Sequence, residues 1–151
     1  MARADAGFTL LEVVCVVAIV ALIAGLALPG PHAGTSRAGV ERLARDVASL
    51  FKRDRYAAIR QRAVVETRVN MRAREINAGS NRAALHFPDD VDIRATVTAG
   101  CGSAKDTASF EFYPDGRACG GELTLGRDGA IFQVRVDWLT GGVEIVAPPP
   151  V

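Results

Sequence analysis

The stretch Gly7-Phe8-Thr9-Leu10-Leu11-Glu12, with the apolar run that continues to Leu28, decides how this 151-residue chain is organised. From Phe8 to Leu28 only Thr9 and Glu12 are strongly polar. At about 1.5 Å per residue such a helix is roughly 31 Å long, enough to cross a hydrocarbon core of about 30 Å. A carboxylate one turn into that helix is costly in hydrocarbon, where insertion scales put a charge at the helix centre at about 2.5–3.5 kcal/mol. A partner cation would offset the cost, whereas a plain anchor has no use for the acid. An ordinary secretory signal fits poorly. Glu12 interrupts its apolar core, and Pro29-Gly30-Pro31-His32-Ala33-Gly34 offers no clean A-x-A cleavage site.

Beyond the run, Pro29, Gly30, Pro31 and Gly34 predict a kink or local unwinding, a hinge ahead of the next element. From Val40 to about Arg62 the apolar residues Val40, Leu43, Val47, Leu50 and Phe51 recur at three- and four-residue steps. That spacing predicts an amphipathic helix packed on the chain's own sheet. The period then changes to two. Val65, Thr67, Val69 and Met71 alternate with polar residues and predict a strand with one wet face. Further strands are predicted at Ala84–Phe87, Val91–Val97, Phe110–Phe112, Leu123–Leu125, Phe132–Trp138 and Val143–Ile145. Turns fall at Gly79-Ser80-Asn81, Pro114-Asp115-Gly116, Gly126-Arg127-Asp128-Gly129 and Thr140-Gly141-Gly142. Gly100–Asp106 reads as a loop, and Pro148-Pro149-Pro150 as an extended tail. The expected fold class is α+β: a long N-terminal helix, transmembrane in its first half, then an antiparallel β-sandwich-like domain.

Gly7-Phe8-Thr9-Leu10-Leu11-Glu12-Val13 resembles the type III prepilin signal of type IV pilins and type II secretion pseudopilins. Pro29 stands where such proteins carry a helix-bending proline. The later segments Phe112-Tyr113-Pro114-Asp115-Gly116, Leu123-Thr124-Leu125, Val134-Arg135-Val136 and Thr140-Gly141-Gly142-Val143 are similar to the C-terminal pattern of the GspH/FimT pseudopilins. Residues 63–109 match in pattern only. The resemblance implies a pilin-like fold and cleavage after Gly7 by a prepilin peptidase, with Phe8 as the N-methylated new terminus. Glu12 would pair with that α-amine or a neighbour's, two buried charges that together set register. The implied segments are a leader at 1–7, a transmembrane and assembly helix at 8–29, a hinge and amphipathic helix at 30–62, a periplasmic β-domain at 63–147 and a Pro-rich tail at 148–151. The implied role is a minor pseudopilin near the tip of a pseudopilus that exports folded proteins. It would be single-pass in a bacterial inner membrane, with its C-terminal domain in the periplasm. Its partners would be other pseudopilins, the prepilin peptidase and the inner-membrane secretion platform. The rival within the same resemblance is a FimT-like minor pilin that binds DNA.

Composition bears on that choice. The net charge is only +1, but residues 37–74 hold eleven basic and four acidic residues, and residues from 75 onward hold six basic and eleven acidic. Such asymmetry marks either an anionic partner or a solvated helix face meeting acidic neighbours in an assembly, and we favour the second. Glu41, Asp46 and Asp54 are interleaved with the cations and dilute the field that Arg53 and Arg55 would offer a phosphate. Gly141-Gly142-Val143-Glu144 also lacks the arginines that DNA-binding relatives carry there. Nucleic acid is therefore not an expected partner. In an oxidising periplasm Cys101 and Cys119 would form a disulfide, while Cys15 lies in the apolar run. A metal site lacks a CxxC pair, and Asp89-Asp90-Val91-Asp92 lacks the glycine and terminal glutamate of a calcium loop. With only His32 and His86, no P-loop and no GxGxxG, neither an enzyme nor a cofactor is expected.

Overall fold

The computed structural model describes residues 9–27, 35–98 and 101–147. The chain forms two units, Met1–Ala33 and Gly34–Val151. The first holds helix α1, Leu10–Ala27. Thr9 starts it: its carbonyl accepts from the amides of Glu12 and Val13, and its hydroxyl accepts from Glu12 N–H at 3.3 Å. The expected cleavage site at Gly7 and Phe8, the hinge around Pro29 and His32, and the tail 148–151 lie outside the described residues.

In the second unit the three- and four-residue apolar spacing yields helix α2, Arg37–Gln61. Ser36 caps its start by accepting from Gly39 N–H at 3.2 Å. Arg62, in the left-handed region at φ 53°, ends it by turning its N–H back to Ala58 O. The buried face carries Val40, Leu43, Ala44, Val47, Leu50, Phe51, Ala57 and Ala58.

Nine strands follow: β1 (Val65–Asn70), β2 (Glu75–Asn77), β3 (Ala84–His86), β4 (Asp92–Val97), β5 (Ser103–Ala104), β6 (Thr107–Phe112), β7 (Gly121–Arg127), β8 (Ala130–Val136) and β9 (Val143–Val146). All pairs are antiparallel, in a five-stranded sheet ordered β3-β2-β1-β6-β5 and a four-stranded sheet ordered β4-β7-β8-β9. The α+β class and the antiparallel domain are as the alternation predicts. What fills the core differs from a plain sandwich. Helix α2 lies against β1 and β6 of one sheet and β7, β8 and β9 of the other. Phe51 sits at the centre, its ring 4.7 Å from Phe110 and 6.0 Å from Phe112. On the second sheet Leu123 pairs with Val134 and Leu125 with Phe132, all buried.

Several elements differ from the sequence expectation. β2 buries a single residue, Ile76, so no apolar alternation announces it. β5 falls within the expected Gly100–Asp106 loop; its pairing with β6 is main-chain and both its residues are exposed. β8 stops at Val136 rather than Trp138. The Asp137 carboxylate accepts from the amides of Leu139 and Thr140 and turns the chain. The β7–β8 loop shrinks to Asp128-Gly129, with φ of 47° and 78°, the two positive values that a two-residue type I′ hairpin requires.

Candidate assembly surface

Helix α1 is apolar on every side. Leu10, Leu11, Val13, Val14, Val16, Val17, Ile19, Val20, Leu22 and Ile23 occupy consecutive turns with no polar stripe, and all are exposed. A helix that is hydrophobic all round is one that a membrane or a larger assembly covers. Glu12, in its first turn, is the one acid in it, and it is exposed in the isolated chain. Eighteen residues span about 27 Å. Among the described residues no helix is long and apolar enough to cross a membrane. Cys15 is a free, exposed cysteine on this helix.

In the β-domain Cys101 and Cys119 come together, with Cα atoms 6.0 Å apart and sulfurs at bonding distance. Cys119 is buried and its Sγ lies 3.5 Å from the Tyr113 hydroxyl. Burial, with the nearby Glu111 carboxylate, pushes the Tyr113 phenol up. Cys101, Tyr113 and Cys119 line a groove of about 420 Å³ with Thr98, Arg117 and Trp138. Among the described residues no three His, Cys, Asp or Glu side chains gather as a metal site. His86 is exposed on β3, with Nδ1 3.9 Å from the Glu75 carboxylate.

Two members of the basic stretch are not what the sequence suggests. Asp54, expected to dilute a surface field, is fully buried. Its carboxylate accepts from Thr67 Oγ1, from Gly79 N–H at 2.8 Å, and from the amide and hydroxyl of Ser80. It ties α2 to β1 and to the turn before β3. That turn passes so close that a Cβ on Gly79 would stand 2.3 Å from Glu66 O. Arg55, expected on a phosphate-facing surface, donates instead to Gly116 O at 3.0 Å and Thr140 O at 2.8 Å. It clamps the β6–β7 and β8–β9 turns together. Gly141, at φ 62°, backs directly onto Gly116 O there.

The other cations divide in the same way. Arg37 lies over the Phe132 ring. Arg45 pairs with Glu41, Arg68 with Glu66, Arg72 with Asp106, and Arg74 with the carbonyls of Pro88 and Val91. Hydrogen bonds from Arg68, then Ser109, hold the Glu66 carboxyl below its ordinary range. Among the described residues this leaves Arg42, Lys52, Arg53, Arg60 and Arg62, all exposed, without such a partner. A duplex would therefore meet five free cations rather than eleven, which cuts the counterion-release gain.

Known proteins share this motif and this fold. The class comes first: residues 2–28 match the prokaryotic N-terminal methylation motif. The particular relatives follow. The chain is 27% identical over 139 residues to the type II secretion system protein H of Xanthomonas campestris pv. campestris, covering 91% of this chain and 81% of that protein. Its fold is similar to that of the minor pseudopilin EpsH from the type 2 secretion system of Vibrio cholerae. That match has a TM-score of 0.57 and 11% identity, and covers 73% of this chain and 98% of EpsH. The motif, the sequence relative and the fold agree in what this chain is similar to: H-type minor pseudopilins of type II secretion systems.

Proposed function

We propose that this chain is a minor pseudopilin of a type II secretion system that enters its pseudopilus through α1 and displays the β-domain as a head. The observation that carries the reading is a helix apolar all round, with one acid in its first turn, lying within the methylation motif. Cleavage after Gly7 frees the Phe8 α-amine, which is then methylated. Glu12 pairs with that amine or with a neighbouring subunit's. Either charge alone in an apolar filament core is expensive, so the pair selects one register among many equally greasy ones. Before assembly the segment from Phe8 to Leu28 rests as a single span in the inner membrane, with the head in the periplasm, where Cys101 and Cys119 are oxidised. The partners are other pseudopilins, the prepilin peptidase and the inner-membrane platform.

Glu12→Gln tests the reading. The variant keeps membrane insertion and leader cleavage, yet is expected to lose incorporation into the filament and secretion in a deletion strain. Full complementation of secretion by this variant would rule out the pairing role of Glu12.

A further inference from the structure

The exposed flank of α2 beside the β2–β3 turn carries a groove of about 580 Å³, lined by Arg53, Tyr56, Ala57, Ile59 and Arg60 of the helix and by Ser80 and Asn81 of the turn. Its character is unusual for a solvated helix face. Tyr56 is 66% exposed and Ile59 39% exposed, so an aromatic ring and a branched aliphatic chain stand in water between two arginines. Among the described residues Arg53 and Arg60 have no carboxylate within ion-pair distance, and neither does Lys52 beside them. No acid lines the groove. The one acid within this part of the helix, Asp54, points inward, and its carboxylate is taken up by Thr67, Gly79 and Ser80. The inward turn of Asp54 leaves Arg53 and Arg60 with no carboxylate of this part of the helix to contact. The buried acid also holds the Gly79-Ser80 turn that forms the far wall.

We propose that this groove is a docking site for an acidic segment of a partner protein, one that offers two carboxylates to Arg53 and Arg60 and an apolar side chain to Tyr56 and Ile59. Charge complementarity identifies the occupant: unpaired guanidinium groups, with no competing acid in the groove, favour carboxylates. Its size and lining favour protein over nucleic acid. Arg53 and Arg60 are seven residues apart, about 10.5 Å along the helix, a span that two or three peptide side chains fill. Toward the helix N-terminus the exposed Asp46 separates this cluster from Arg42, so the cations form a spot and not a track along a phosphate backbone. A single-strand platform stacks successive bases on several aromatic rings, and this groove has one. The inference concerns the head alone and goes beyond the assembly role of α1.

The test uses the full chain in detergent micelles and fluorescence anisotropy with two probes: a labelled eight-residue peptide alternating acidic residues with leucine and phenylalanine, and a labelled oligothymidylate of equal charge. At 50 mM salt the peptide is expected to bind saturably and more tightly than the oligonucleotide. Arg53→Glu with Arg60→Glu should weaken it about tenfold or more, and Tyr56→Ala about fivefold. Arg42→Glu, on the same helix but outside the groove, should leave binding unchanged. Circular dichroism confirms that each variant is folded. No saturable peptide binding up to 1 mM would overturn the proposal. So would peptide affinity untouched by the groove variants, or tighter binding of the oligonucleotide, which would make the face a nucleic-acid surface.

Discussion

Replacing Asp54 by alanine tests the internal architecture most directly. Four donors converge on this fully buried carboxylate. They do not weigh equally. Gly79 is exposed and Ser80 partly so, and water can reach their freed donors. Thr67 is fully buried on β1, so its hydroxyl loses its acceptor with no replacement. An orphaned buried donor costs about 1–3 kcal/mol, and each hydrogen bond to a charged acceptor contributes about 1.5–3 kcal/mol. Against this, alanine removes the cost of keeping a carboxylate out of water. The balance for Asp54→Ala is a loss of about 3 kcal/mol. In a domain of this size that lowers the melting temperature by roughly 12 °C. Urea unfolding of the Gly34–Val151 unit measures it, and the double variant with Thr67→Val separates the causes. Removing both partners leaves no orphan, so the pair should cost about 1 kcal/mol less than the sum of the singles. A loss below about 1 kcal/mol for Asp54→Ala, or strict additivity with Thr67→Val, would refute the account of this carboxylate as the joint between helix, sheet and turn.

Two further outcomes are expected of the head. Natively purified protein should resist alkylation at Cys101 and Cys119 until reduced, and Cys101→Ser with Cys119→Ser should destabilise the domain by about 3 kcal/mol on the chain-entropy account; free thiols at both positions would contradict the oxidised state. The Asp137 carboxyl is held below its ordinary range by hydrogen bonds from the Thr140 amide and hydroxyl, then the Leu139 amide. A depressed folded-state value means that this stabilisation is fully present above the ordinary carboxylate range, near pH 4, and fades as pH falls through the lower folded value. Asp137→Asn should therefore flatten the acid limb of a stability–pH curve without abolishing it. Asp115, held down by Arg117, and Glu66 titrate in the same direction. An unchanged acid limb would show that the turn does not depend on the ionised form.

What is local or periodic can be read from the residues alone. Three- and four-residue spacing from Val40 announces α2, since a helix brings such positions to one side whatever packs there. Alternation announces β1 and β8 because successive side chains of a strand face opposite ways. Asp128-Gly129 announces a tight hairpin, since the positive φ values it needs are open to those residues. The motif at Gly7–Glu12 is legible for a similar reason: an acid in an apolar helix has no local explanation. Which charges of the basic stretch are free emerges once the chain is folded. Asp54 and Arg55 are neighbours in sequence, yet one is sunk in the core and the other clamps two turns. Their partners lie 13 to 26 and 61 to 85 positions away. The faces of β2 and β5 were equally hidden, since main-chain pairing with a distant strand leaves little mark on side-chain pattern. A charge is solvated, paired or buried according to what the rest of the chain places against it, and that placement is long-range.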